Sequence, residues 1–448
     1  MKIPPVKGTR DFYPPDMAVH NYIVDGWKKA SLRNGFEEYD GPIFEYLKMF
    51  QIKSGDEIVE QLFSLTDRGG RDLALRPEMT PTLARMVNQR INSLPRPIKW
   101  FSVPRLFRAE RPQKGRLREF FQWNIDIIGT DDVLADAEII FTTIDYLRQV
   151  GLTPDDIKVK MSSRRLLAAV LKKIGIAEAN FDSMYALLDK RNKLPQETFK
   201  ELLAEKVPDK QMADTINQFM ELESVSNVER MFGHDELVEE AFNELAMVHR
   251  HLLENMKVGE YCKFDPSIVR GLAYYTGVVF EVHAEGSELR AICGGGRYDN
   301  LLKEFGGPEI TGTGMGMGDC VLEILLREKG LLDRKVEGPD LDYFVACVPG
   351  ITFDDQGGMV KSTVEDEVVR LTTSQLRTKG FRAAFSYKAN AGLSKQFKEA
   401  SAQNAKKCVI IGEEFKNKKL TIKDMDTGKQ ELVDYDEFLS WLDSAKGI

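Results

Sequence analysis

The chain has 448 residues, 42% hydrophobic and 29% charged, with a formal net charge of −8. That length exceeds what one core serves, so two to four domains are expected, and the acidic balance excludes indiscriminate nucleic-acid binding but not a local basic patch. No run of about 18 apolar residues could span a membrane, and the opening MKIPPVKGTRDFYPPD has no apolar or basic amphipathic leader, so a cytoplasmic protein with no membrane partner is expected.

In chain order, Asp16 to Asn34 reads as a helix, with Val19, Ile23, Trp27 and Ala30 at helical spacing and Gly35 as terminator. QLFSLTDRGGRDLALRPEMTPTLARMV predicts two strands around the turn Asp67–Gly70, then a helix from about Thr80. PIKWFSVPRLF and EFFQWNIDIIG predict strands on either side of a basic loop; Arg105 to Arg118 carries six basic residues and one acid. Residues 162–258 are poor in glycine and rich in Leu, Ala, Glu and Lys at helical spacing, which predicts an all-helical insertion. Glycine-rich strands return from Cys262 to Gly318, and Arg327 to Asp340 reads as a charged linker. A β-α-β-α-β order then predicts a separate α/β domain, with helices near Glu365–Lys379 and Leu393–Lys407, a hairpin and a last helix. The expected organisation is 1–161, 162–258, 259–330 and 340–448, with no internal repeat.

Alternation along FFQWNIDII puts Gln122, Asn124 and Asp126 on one face and Phe121, Trp123, Ile125 and Ile127 on the other. Arg108 and Glu110 share a face of the incoming strand. A polar row inside a protein needs partners; an exposed sheet face would supply water, and a ligand would supply its own groups. The cations of RPQKGR beside that row suit a nucleotide phosphate. IVRGLAYYTGVVFEV contributes Arg270 before two tyrosines, which alone could equally be a surface arginine and two core rings. The glycines of CGGGRYD let backbone come close to a ligand or another strand. GTGMGMGD has glycine at every second position, leaving one strand face bare for a planar group; it is not GxGxxG, so it is no dinucleotide fingerprint.

Other chemistry is not indicated. Cys262, Cys293, Cys320, Cys347 and Cys408 are scattered and odd in number, as expected of free thiols in a reducing compartment. The five histidines form no HExxH, so no zinc is expected. There is no GxxxxGK[ST]. KMSSR, Lys160 to Arg164, matches the class I synthetase signature KMSKS only by chance, because no HIGH-type companion exists.

Together LRPEMTPTLAR, FRAERPQKGRLREFFQ, VRGLAYYTGVVFE, GGGRYD and KGTRDFYP resemble the histidyl-tRNA synthetase family of class II enzymes, over essentially the whole chain. GFEEYDGPIFEY resembles motif 1, with Pro42, which in that family forms a dimer interface. The resemblance implies a mixed α/β fold, with an antiparallel sheet flanked by helices, a helical insertion and a C-terminal α/β anticodon-binding domain. It implies ATP and Mg²⁺, L-histidine, tRNA(His) and a homodimer, with no metal site assigned. Arg108 and Arg270 would hold the α-phosphate, Arg108 also the substrate carboxylate, and Glu110 the adenine end, with Arg116, Gly316 and Gly318 also binding ATP. Glu78, Thr80 and Gln122 would take the histidine amino group, and Asp126, Tyr274 and Tyr275 the imidazole. The loop from Arg111 to Arg118 would meet the tRNA acceptor end.

Three positions depart from the family pattern. Ala273 stands where the family has Asp, and Asp126 stands where it has Glu. Val321 stands where motif 3 has an arginine on the ATP γ-phosphate, with Arg71, Arg116 and Arg118 as candidate substitutes. The loss of that arginine suits a rival, a non-catalytic histidine-binding regulatory subunit of an ATP phosphoribosyltransferase. The intact RGLxYYTG stretch and the C-terminal region oppose that rival. The RGLAYYTG stretch also opposes a prolyl or threonyl enzyme.

Overall fold

A computed structural model describes residues 3–51, 61–191, 194–233, 235–270, 274–332, 341–348, 351–353, 359–361, 364–388 and 391–444. Gly271, Ala273 and the second half of the expected linker lie outside them. The chain divides into two compact units, Met1–Val336 and Glu337–Ile448.

The first helix, Pro14–Arg33, begins where Pro14 and Pro15 preset its first turn and the Asp16 carboxylate accepts from the Tyr13 amide at 3.2 Å. It ends at Gly35, whose φ of +78° suits glycine. Its apolar face meets the main sheet through an aromatic cluster. Trp27 and Trp123 stack at 6.2 Å between ring centroids, and Tyr146 meets Trp123 edge-on at 5.5 Å. The Trp123 indole donates to Ser31 Oγ at 2.8 Å, so its buried N–H is paired. Truncating such a buried tryptophan to alanine costs about 3–5 kcal/mol.

The main sheet runs Glu37–Glu38, Ile98–Ser102, Glu119–Ile128, Gly312–Gly318, Cys293–Tyr298, Val278–Ala284, Ile157–Ser163, Cys262–Phe264, with Arg105–Phe107 pairing on Glu119–Ile128. Only the two outermost pairings are parallel. One face packs on helices: Trp123, Ile125, Ile127, Met315, Met317, Cys293, Phe280 and Val282 belong to one buried core. The other face is polar or bare around Gln122, Asn124 and Asp126, and packs apolar clusters through Ile98 and Ile128 and through Val279 and Tyr298. Register aligns Asp126, Gly314 and Gly296 across three strands, and Asn124, Gly316, Gly294 and Glu281 across four. The pleat thus carries these aligned residues to one surface.

The strand pair around Asp67–Gly70 is Ser64–Thr66 and Asp72–Leu75, joined by Phe44–Tyr46 in a small sheet, and the following helix is Thr80–Arg90. Buried Arg76 fastens the turn before that helix, donating to Asp40 Oδ1 and the Gly41 carbonyl, both at 2.8 Å.

The helical stretch starts slightly later than 162, because Ser162 and Ser163 finish the strand Ile157–Ser163. Ser163 then caps Arg164–Ile174 by accepting from the Leu166 amide, so KMSSR is a strand end and a helix cap. Leu166, Val170, Leu203, Phe219 and Leu245 bury into the same core as the sheet. The expected linker begins too early. The helix Asp319–Glu328 includes Arg327, and Leu332 is buried in the core despite its charged neighbours.

In the second unit, Ala383–Phe385, Tyr343–Cys347 and Lys407–Ile411 pair in parallel, and the hairpin Lys419–Asp424/Gln430–Asp434 adds two antiparallel strands. The helices are Val364–Thr378, Leu393–Ala402 and Tyr435–Ser444. Leu393–Ala402 stops five residues before the expected Lys407, since Asn404 takes φ +50° and turns the chain into a strand. The sequence reading missed one short pair, Ile351–Phe353 with Met359–Lys361.

Candidate active site

All eight residues proposed from the sequence to contact histidine line one cavity: Glu78, Thr80, Arg108, Gln122, Asp126, Arg270, Tyr274 and Tyr275. They come from the helix start, the hairpin and the segment before Val278–Ala284. The cavity encloses about 80 Å³ and opens beside a larger one of about 440 Å³. Glu78, Arg108, Gln122, Arg270, Gly294 and Gly316 line both. Arg116, Gly318 and Val321 line the larger one.

The two arginines at the junction are held differently. Arg108 Nε donates to the Pro77 carbonyl at 3.0 Å, and its guanidinium lies 5.3 Å from the Phe120 ring centroid. Arg270 sits at φ +59°, a left-handed backbone that costs a non-glycine residue of order 1–3 kcal/mol. The surroundings fix it there. Its guanidinium donates to Glu281 Oε1 at 2.9 Å and to the Tyr275 hydroxyl at 3.3 Å, and its carbonyl accepts from Arg164 at 3.2 Å. A Cβ on Gly294 would collide with Arg270 Nη1, so only glycine leaves room. Burial works against the charge on Arg270, but Tyr275 and Glu281 outweigh it and the pKa is raised. Burial likewise pushes Glu281 up, yet His283 and Arg270 together pull it down to about 2.

Asp126 is buried at the floor, and the Tyr298 hydroxyl donates to its Oδ1 at 2.6 Å. Burial raises its pKa to about 7, with the Tyr298 bond pulling the other way. Gly314 lies in register beside it, where a Cβ would collide with Asp126 Oδ1. The bare glycine strand thus makes room for the carboxylate as well as for a ligand.

Glu110 lies outside the residues lining these cavities. It pairs with Arg116 through Oε2, while its Oε1 is buried without a hydrogen bond among the described residues. Of the candidate substitutes for the motif 3 arginine, Arg71 pairs with Asp67 and Arg118 donates to the Glu110 and Lys7 carbonyls. Neither lines the cavities; Arg116 does.

The sequence reading missed Tyr298 and Arg290 as lining residues. Parity was the available signal for Tyr298, which falls on the face of Gly294 and Gly296. Arg290 precedes the strand Cys293–Tyr298 with no periodic signal. Arg297, on the opposite face, pairs with buried Asp136 at 2.6 Å and bonds the Thr130 and Asp132 carbonyls, which anchors the sheet to the helix Leu134–Gln149.

Residues 8–318 match the family described as Histidyl-tRNA synthetase, and residues 358–445 match an anticodon binding domain. A histidine–tRNA ligase of Thermoplasma volcanium is 35% identical over 448 residues, covering 99% of each chain. The chloroplastic/mitochondrial histidine–tRNA ligase of Arabidopsis thaliana is 38% identical over 427 residues, 95% of this chain and 84% of that one. The chain belongs to the histidyl-tRNA synthetase family. The fold agrees with that membership. A histidyl-tRNA synthetase structure from Nostoc superposes with a TM-score of 0.79 at 23% identity, covering 99% of both chains. A structure from Bacillus halodurans described as an ATP phosphoribosyltransferase regulatory subunit/histidyl-tRNA synthetase gives 0.73 at 22%, covering 92% of this chain and 99% of that one. Within the family the fold is therefore shared by chains of different description, and the side chains of the cavity must carry the function.

Proposed function

We propose that this chain charges tRNA(His) with histidine in two steps at the joined cavities. The histidine carboxylate attacks the α-phosphorus of ATP; the new O–P bond gives histidyl-adenylate, and pyrophosphate leaves with the electrons of the broken Pα–O bond. The terminal ribose hydroxyl of tRNA then attacks the histidyl carbonyl and AMP departs. Neither step needs an enzyme nucleophile, so positioning and charge stabilisation carry the first.

The carrying observation is the convergence of Glu78, Thr80, Gln122, Asp126, Tyr274 and Tyr275 on a small enclosed space with Arg108 and Arg270 at its mouth. Anionic and hydroxyl groups suit an ammonium and an imidazole N–H; the two cations suit a carboxylate meeting a phosphate. Glu110, which lines neither cavity and pairs with Arg116 through Oε2, adds nothing to this reading. Among the described residues no three His, Cys, Asp or Glu gather as metal ligands. Mg²⁺ would arrive on the ATP phosphates and add to the charge stabilisation that Arg108 and Arg270 supply.

A homodimer fits the exposed Ile43, Phe44, Tyr46 and Leu65 around Pro42. Among the described residues no helix is long and apolar enough to cross a membrane; a cytoplasmic location belongs to the same proposal.

The second unit is proposed to read the anticodon. Removing the residues after about Val336 should spare histidine-dependent pyrophosphate exchange in a chain that keeps its dimer, and strongly weaken charging of tRNA(His). Unchanged charging efficiency would count against the assignment. A regulatory subunit, the reading that Val321 favours, would bind histidine and charge no tRNA even at full length.

A further inference from the structure

Four guanidinium groups line the larger cavity, those of Arg108, Arg116, Arg270 and Arg290. Arg108 and Arg270 also line the small cavity, whereas Arg116 and Arg290 do not. A nucleotide whose α-phosphate meets the amino acid at the junction must extend its remaining phosphates outward, toward the second pair. That pair is unequal. Arg116 is neutralised by Glu110. Arg290 has no carboxylate partner among the described residues. Its Nη2 donates to the neutral amide oxygen of Gln113, on the basic loop, at 3.0 Å. Val321, on the same cavity wall, offers no charge.

We propose that Arg290 is the cation that holds the terminal phosphates of ATP in this chain. Gln113 orients its fork without cancelling its charge, which leaves the remaining N–H groups for phosphate oxygens. During adenylation the β- and γ-phosphates become the pyrophosphate leaving group, and a fixed guanidinium offsets the charge that collects there as the Pα–O bond breaks. The idea rests on the ATP-dependent reading above and adds a residue to it.

The test is the equilibrium affinity of the full chain for ATP and for AMP, without histidine, in the unaltered protein and in Arg290→Ala and Arg290→Lys. Arg290→Ala should weaken ATP roughly tenfold or more, about 1.4 kcal/mol, and leave AMP unchanged. Arg290→Lys should recover part of the loss, because the charge returns without the fork. A structural role would move both nucleotides together, so equal shifts, or no shift for ATP, overturn the proposal. Histidine-dependent exchange by the unaltered chain is measured alongside. If exchange is absent while ATP affinity still depends on Arg290, the synthetase reading fails and this one stands.

Discussion

Replacing Arg270 by alanine should lower histidine-dependent pyrophosphate exchange by roughly 10²–10³ and change ATP affinity only a few-fold. The expectation follows from how the residue is held. Its backbone sits at φ +59°, its guanidinium is clamped by Glu281 and Tyr275, and Gly294 leaves the room it fills. A group fixed before the substrate arrives needs no reorganisation when charge builds at the α-phosphorus, so its effect falls on the transition state more than on the bound nucleotide. Arg270→Lys should recover little, since one ammonium cannot replace the fork that meets Glu281 and the phosphate together. Separate measurement of the exchange rate and of the ATP dissociation constant in folded mutants decides the matter. A near-normal exchange rate would remove Arg270 from the chemistry.

Replacing Asp126 by alanine should raise the KM for histidine at least roughly tenfold, a loss of about 1.4 kcal/mol, and move the KM for ATP much less. A site built around an imidazole N–H rejects ligands that leave its acceptor buried and unpaired. Asp126 is one methylene shorter than the family's glutamate, so the ligand must come closer to the strand or a water must bridge. Its environment also couples it to stability. Burial raises its folded-state pKa to about 7, above the ordinary 3.8, so the folded chain keeps a proton that the unfolded chain releases. That contribution is complete below the unfolded value and is lost as pH rises through the folded one. Asp126→Asn, neutral throughout, should therefore gain stability over the parent as pH rises across this window and hold a constant advantage above it. Denaturant midpoints of the ligand-free proteins at several pH values would show this. An advantage independent of pH would mean that burial does not raise the Asp126 pKa, and equal shifts in both KM values, or none, would mean that Asp126 is not the imidazole partner.

How much of this was legible in the sequence varies with the range of the interaction. Gln122, Asn124 and Asp126 could be put on one face because strand alternation is local, and the structure has them opposite the core row Trp123, Ile125 and Ile127. Gly314 and Gly316 could be read as a bare face for the same reason. That the bare face adjoins Asp126 and Gln122 depends on register between strands nearly 190 residues apart, which no local pattern encodes. That Tyr298 reaches Asp126 depends on the same pairing. Arg290 was hidden by its place in a turn, where no periodicity marks direction. The pairing of Arg10 with buried Asp319 links the chain's opening to the residue after the glycine strand, and only tertiary structure could reveal it. The early linker boundary failed for a different reason: charged residues at a helix end look like a solvated connector until Leu332 is seen in the core.

The central claim is that the joined cavities activate histidine with ATP, and amino-acid-dependent exchange of labelled pyrophosphate into ATP tests it most directly. With the full chain and each of histidine, proline and threonine in turn, exchange should appear with histidine and stay at background with the other two. Exchange driven by proline or threonine, or none with histidine in a folded protein that binds it, would contradict the account.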